Sequence, residues 1–427
     1  MSAARPRVLV LAPFPPSPFA PHGGSRAIAH LILGLAAGAD VAVAHMREPD
    51  EPEVDASVAT VCDTVLELHR ASPARGASAG WARRGRLATG LLRSRTMWAS
   101  DYLPSRRSRN DLTQLIRGWR PSVLQVEFTV MTPYARPFTD PIVRVLTDHD
   151  PSYQSSANRT LRRIGVSRVL VALDARAWRK LQHVAIQSVD AVVTFTSEDR
   201  QAIGRIAPEA RVEVIPLTVP IPSMALDPLG QGPNVVFVGN LIHEPNRDAA
   251  LWLGHEILPL VRARMPAARL QLIGNDPDGT MRTKFRGDPA IEVTGLVPDV
   301  TPYLDRAAVV IAPIRLGGGM RVKVLEALAA GKAVVATPRG AAGLSPETAG
   351  QLALGTTANE LAEATISVLE NPDTRRGLAI RARQWAEREF RPELRAEAYL
   401  RLYGELLARS DNAQLPGAPR RPAGVSS

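Results

Sequence analysis

Short apolar, β-branched runs alternate along this chain with longer segments whose apolar residues recur every three to four positions. In the first half the runs are RVLVLAP, DVAVAH, TVLELH, VLQVEF, IVRVLTDH and AVVTFTS; in the second they are NVVFVGN, RLQLIGN, IEVTGLV, VVIAPI and AVVAT. Nearly unbroken apolar runs of this length predict strands covered on both faces, and their alternation with helical periods predicts parallel sheets with crossover helices. Between the halves, VIPLTVPIPSMALDPLGQGPN is rich in proline and glycine and has no helical period, which predicts a linker. The pattern divides the chain into an α/β domain at 1–215, a linker at 216–233, a second α/β domain at 234–390, a helix at 391–409 and a disordered tail at 410–427.

Length agrees with two cores: 427 residues with 45% apolar content exceed one ordinary domain. The formal net charge of +10, carried mainly by arginine, favours an anionic partner. A single cysteine, Cys62, rules out a disulfide framework or thiolate metal cluster and suits a reducing compartment. No run approaches 18 apolar residues, so no membrane span is expected, and Pro13 cuts the first apolar run too short for a secretory signal. These features predict a cytoplasmic protein. Between Trp81 and Arg120, ten arginines stand against only Asp101 and Asp111, with leucines, Met97 and Trp98 interleaved. A second basic stretch runs from Asn158 to Lys180. Two readings are open: a solvated arginine-rich surface, or amphipathic helices resting on the anionic inner face of the plasma membrane. No nucleic-acid-binding fingerprint accompanies them, and no nucleic acid partner is expected.

The densest chemistry lies in PIRLGGGMRVKVLEALAAGKAVVAT, Pro313 to Thr337. It reads as a strand end, a loop with Gly317, Gly318 and Gly319, a helix capped by Gly331, and a further strand. Glycines let backbone approach a ligand closely, and free N–H groups at a helix start favour an anion such as a diphosphate. Arg321 and Lys323 add cations. Glu326 shares a helix face with Lys323 and cannot itself bind phosphate, so it implies vicinal hydroxyls, as on a ribose. A solvated Lys–Glu pair beside a flexible loop is the plainer alternative. No Gly-Lys-Ser/Thr follows the glycines, which disfavours a P-loop. In VLTDHD, His149 stands at a strand's carboxyl end, where its imidazole could accept a hydrogen bond or a proton near neutral pH; Asp148 or Asp150 could orient it, or simply cap a turn.

Taken together, GNLIHEPNRDAALWL, IGNDPDG, VTGLVPDVTPYLDRAAVVIAPI and the glycine-rich stretch resemble the carboxyl-terminal domain of family 4 retaining glycosyltransferases. PFPPSPFAPHGGSRAIAHLILGLA and VDAVVTFTSEDRQAI resemble their amino-terminal domain. The resemblance implies a GT-B fold: two Rossmann-like domains facing across a cleft, with the last helix packing back toward the first domain. It implies a donor site at Gly239, Asn240, Gly317, Gly318, Gly319, Arg321, Lys323 and Glu326, with Glu326 on the ribose. A glycine turn at Gly23, Gly24 and Arg26 would face diphosphate and acceptor, and His149 with Asp150 would lie by the reacting sugar. The sequence departs from the family at Gly318, where a glutamate is usual, and at Asn240, where an arginine is usual; it is similar to a branch with a Gly-Gly-Gly-x-Arg-x-Lys string.

The implied reaction moves a sugar from a nucleotide-diphosphate donor to a hydroxyl, with retention and without metal or further cofactor. Acceptors in cell-surface glycans, glycolipids or natural products are compatible. A nonhydrolysing sugar-nucleotide epimerase and a catalytically idle nucleotide-binding protein are the alternatives; turnover without acceptor would mark the first, tight binding without turnover the second.

Overall fold

The computed structural model describes residues 5–20, 23–47, 51–69, 96, 99–138, 142–149, 166–317, 322–342, 344 and 350–413. Strands β1 (Arg7–Ala12), β2 (Asp40–Met46), β3 (Thr64–Leu68), β4 (Val123–Glu127), β5 (Val143–Thr147), β6 (Ala191–Thr194) and β7 (Val212–Val214) form the first sheet, in the order β3-β2-β1-β4-β5-β6-β7. Strands β8 (Asn234–Val238), β9 (Arg269–Ile273), β10 (Ile291–Gly295), β11 (Val309–Ala312), β12 (Val334–Ala336) and β13 (Ala353–Leu354) form the second, in the order β10-β9-β8-β11-β12-β13. Every pairing among them is parallel.

The helices that matter for the site are α1 (Gly23–Leu35), α2 (Arg106–Trp119), α3 (Val166–Gln187), α4 (Glu244–Trp252), α5 (Val322–Ala329), α6 (Ala358–Glu370), α7 (Pro372–Glu389) and α8 (Pro392–Ala413). The alternation expected of doubly covered strands is plain in β1. Val8 and Val10 face a core shared with Ile28 and Ile32 of α1, whereas Leu9 and Leu11 face Leu112, Ile116 and Trp119 of α2. In the second domain Val235, Phe237 and Ile311 pack on Leu361 of α6, while Val236 and Val310 face Leu325 of α5 and Trp385 of α7.

The basic helix α2 therefore spends its apolar face on the first domain's core, and that face is not free for a bilayer. Arg7 additionally lies 4.5 Å from the Trp119 ring centre. On α3, Val169 and Leu173 are exposed, four residues apart, beside exposed Arg176 and Lys180. No helix among the described residues is long and apolar enough to cross a membrane.

Two crossings join the domains. The first is anchored to the second domain by Lys332, whose buried ammonium donates to the carbonyls of Asp227 and of Asp305, the latter at 3.1 Å. The second follows α7: after Phe390 the chain returns as α8, which runs to Ala413, past the expected helix end at 409 and into what was expected to be a disordered tail. Tyr399, Leu402, Tyr403 and Leu406 of α8 complete the core that holds Val8, Val10 and Ile32. Burying Leu402 and Leu406 contributes about 1.5–3 kcal/mol each relative to exposure.

Candidate active site

In open parallel sheets a ligand crevice forms where strand order reverses, beyond the strands' carboxyl ends. Here the reversals fall between β1 and β4 and between β8 and β11. The chain leaving β1 enters α1, and β4 ends at Glu127; β8 runs into Gly239 and Asn240, and β11 leads to Gly317 and then α5. Both reversals thus carry residues expected from the sequence.

The two sides touch. Arg26 of α1 places Nη2 at 2.9 Å from Glu326 Oε1 of α5, and Lys323 places Nζ at 3.4 Å from Oε2. Each carboxylate oxygen faces a cation. The Arg26 approach is coulombic rather than directed: neither Nε nor Nη2 finds an aligned acceptor among the described residues. Enclosure pushes the Lys323 ammonium below its ordinary value, with Arg26 lowering it further and Glu326 holding it up. Nearby, Arg395 of α8 is buried, donates from Nη1 to the Ala27 carbonyl at 2.9 Å, and lies 5.5 Å from the Phe195 ring centre. His30, one turn after Arg26, is pushed down to about 4 by burial and then by Arg395 and Arg26. Two cations face one carboxylate and Arg395 lies close to His30 beside them, an excess of positive charge that attracts a polyanion.

The glycine turn of the first domain has a packing reason. A Cβ on Gly24 would stand 2.9 Å from Phe14 Cζ and from Phe128 Cζ, and one on Gly23 would stand 3.1 Å from Val322 Cγ2 of the other domain. Ser25 closes the preceding loop by donating to the Pro15 carbonyl at 2.7 Å and accepting from Ser17 N at 3.0 Å. The glycine after β8 is equally constrained: a Cβ on Gly239 would meet Asn246 Cγ at 2.9 Å. Asn240 turns inward, its Oδ1 accepting from Ile242 N at 3.2 Å and its carbonyl from Asn246 Nδ2 at 3.0 Å. It therefore replaces an arginine with a turn contact. Arg315 pairs with both Asp248 oxygens, at 3.0 and 2.9 Å, and covers Trp252 of α4 at 4.3 Å. Gly317 adopts φ 82°, and its carbonyl accepts from Arg339 at 3.0 Å. Helix α5 ends as expected, with left-handed Gly331 at φ 77° and Lys332 N donating to Ala327 O at 3.0 Å. Gly318, Gly319, Arg321 and Asp150 lie outside the described residues.

His149 is buried at the carboxyl end of β5, but Asp148 does not orient it. Asp148 accepts from Gln182 Nε2 of α3 at 2.7 Å. The carboxylate on His149 is that of Glu127, with Oε2 at 2.5 Å from Nε2 and no solvent exposure. Glu127 Oε1 accepts from Gln125 Nε2 at 2.8 Å. The imidazole lies flat on Phe128, with ring centres 3.9 Å apart and planes 8° apart, and its edge meets Phe195. To reach that position Phe128 takes φ 68°, left-handed for a bulky residue and costing about 1–3 kcal/mol. Sequence reasoning missed Glu127. Its signal was a carboxylate, with Gln125, inside the otherwise apolar run VLQVEF.

Residues 232–371 match the family model described as glycosyl transferases group 1. The chain is 30% identical over 232 residues to a phosphatidyl-myo-inositol mannosyltransferase of Mycolicibacterium smegmatis; the match covers 52% of this chain and 58% of that protein, so it spans little more than half of that relative's length. Among solved structures, sucrose-phosphate synthase from Thermosynechococcus elongatus aligns over 94% of this chain and 100% of its own, at 18% identity and a TM-score of 0.69. A trehalose 6-phosphate synthase from Burkholderia multivorans aligns over 97% and 99%, at 15% identity and a TM-score of 0.65. An E. coli protein bound with UDP-2-fluoro glucose aligns over 94% and 99%, at 13% identity and a TM-score of 0.61. The architecture is the two-domain GT-B fold, and the match to glycosyl transferases group 1 lies in its second half.

Proposed function

We propose that this protein is a glycosyltransferase that moves a sugar from a nucleotide-diphosphate donor to a hydroxyl acceptor with retention of configuration. The observation that carries the reading is the meeting of Arg26, Lys323 and Glu326 where the strand-order reversals of the two sheets face each other. Glu326 accepts from the ribose hydroxyls once the donor enters, while Lys323, Arg321 and Arg26 compensate the diphosphate. His149, held by Glu127, accepts from a hydroxyl of the transferred sugar. The acceptor oxygen bonds to the anomeric carbon on the face from which the phosphate oxygen departs; the departing oxygen keeps the bonding electron pair and takes the acceptor proton. This front-face route needs no carboxylate nucleophile of the kind retaining glycosidases use. Cations and helix termini supply the charge compensation, and transfer proceeds without an added metal.

The named relative suggests a lipid-linked polyol acceptor, and the exposed Val169, Leu173, Arg176 and Lys180 of α3 offer peripheral contact with an anionic inner leaflet. The test is calorimetry of nucleoside mono- and diphosphates without metal, on the unmodified chain and on Glu326→Ala. A diphosphate preference, with a loss of about 1.5–3 kcal/mol in the variant, roughly 10- to 150-fold, supports the reading. Absence of nucleotide binding overturns it. Product stereochemistry by NMR tests retention, and loss of turnover with chelator, restored by magnesium, would overturn metal-independent transfer.

A further inference from the structure

We propose that the carboxyl-terminal helix steadies, through Gln125, the Glu127 carboxylate that holds the His149 imidazole in one tautomer, and that Tyr403 and Gln125 are positioning residues for the transfer. The inference deepens the reading above and rests on it for the role of His149. Tyr403 donates from its hydroxyl to Gln125 Oε1 at 2.7 Å. Glu127 fixes which way the amide points: its carboxylate oxygen only accepts, so the NH2 side faces Glu127 and Oε1 faces the Tyr403 hydroxyl. Gln125 Nε2 then donates to Glu127 Oε1 at 2.8 Å and to Thr147 Oγ1 at 2.7 Å. Thr147 is held in turn by Tyr399, with the two hydroxyl oxygens 2.9 Å apart. Were the amide reversed, its oxygen would stand against a carboxylate oxygen at hydrogen-bond distance, which is repulsive.

The consequence reaches the imidazole. With Oε1 engaged, Glu127 presents Oε2 to His149 Nε2. An ionised carboxylate only accepts, so Nε2 carries the hydrogen and the lone pair of the neutral ring is at Nδ1. No described residue hydrogen-bonds Nδ1, which leaves it for a substrate hydroxyl. Tyr399, Tyr403, Gln125, Thr147 and Glu127 are all fully buried. Burial pushes Tyr399 up to about 12 and Tyr403 well above its ordinary value, so both remain hydroxyls under ordinary conditions. Apolar residues in these positions would pack the sheet without the cost of burying a carboxylate, so the network's contribution lies in what it orients.

Nitrogen-15 NMR of histidine-labelled full-length chain tests this, with the His149 signal assigned by its absence in His149→Gln. Hydrogen on Nε2 is the expected result in the unmodified chain, and hydrogen on Nδ1 overturns the proposal without any further variant. In Tyr403→Phe the Gln125 oxygen loses its donor and the Glu127 carboxylate loses part of its support: kcat falls by at least about 10-fold while donor binding stays within about twofold. An unchanged kcat in that variant, or a loss of kcat only in proportion to lost folded protein, also overturns it. Failure of the chain to bind any nucleotide would sink the transferase reading instead, and leaves the tautomer measurement to decide the relay by itself.

Discussion

Arg26 and Glu326 belong to different domains, separated by 300 positions in the chain, yet their charged groups stand 2.9 Å apart. The carboxylate assigned to ribose is therefore already engaged before a donor arrives. Its partner has N–H groups with no aligned acceptor and can turn toward phosphate. Arg26→Gln is expected to remove a diphosphate contact while freeing Glu326. The ratio of nucleoside diphosphate to nucleoside affinity should narrow by about 10-fold or more, with nucleoside affinity unchanged or improved. Calorimetry on both ligands checks it, and an unaltered ratio contradicts it.

His30 sets a pH dependence. Its folded value of about 4 lies below the unfolded value of 6.5, so the unfolded chain binds more protons between those limits. Stability from this group is complete above pH 6.5 and is lost as pH falls toward 4, by up to about 3 kcal/mol. Denaturant unfolding at pH 7 and pH 4 should show that loss in the unmodified chain and a correspondingly smaller one in His30→Asn.

Gly24→Ala places a methyl group against the ring ends of Phe14 and Phe128. Because Phe128 supports the imidazole of His149, the expected effect is reduced transfer with nucleotide binding retained, at a stability cost of about 1–3 kcal/mol. Steady-state kinetics together with thermal unfolding separates the two effects.

Gly274→Ala should be far more severe. Gly274 sits at φ 152°, and an added Cβ would stand 1.7 Å from the Gly239 carbonyl oxygen, a backbone atom that cannot swing aside. A loss above about 4 kcal/mol is expected, enough to prevent accumulation of folded protein. Circular dichroism of the purified variant checks it.

The strands and their two sheets were legible because double burial writes continuous apolar runs such as RVLVLA and NVVFV. Strands β7 and β13, of three and two residues, carried too little pattern to be seen. Side-chain pairings were legible where they are local, as with Lys323 and Glu326 on one helix face. They were not where they depend on strand neighbours. Glu127 meets His149 because β4 lies beside β5 with Glu127 opposite Thr147, and no local pattern announces that register. Asp148 looked the better partner by adjacency, but successive strand-end side chains point to opposite sides, and it faces Gln182 instead. The pairing of Arg26 with Glu326 was hidden because it joins helices of two domains, far apart in the chain.

The return of α8 to the first sheet also orders events during synthesis. Residues 7–214 leave the ribosome with their sheet complete but with the pockets for Tyr399, Leu402, Tyr403 and Leu406 empty, and with Gln125 and Thr147 lacking their tyrosine partners. The first domain to emerge is thus the last to close, and it waits for nearly the whole second domain to be translated. Until α8 docks, the apolar residues of α1 that it covers stay exposed as an open seam.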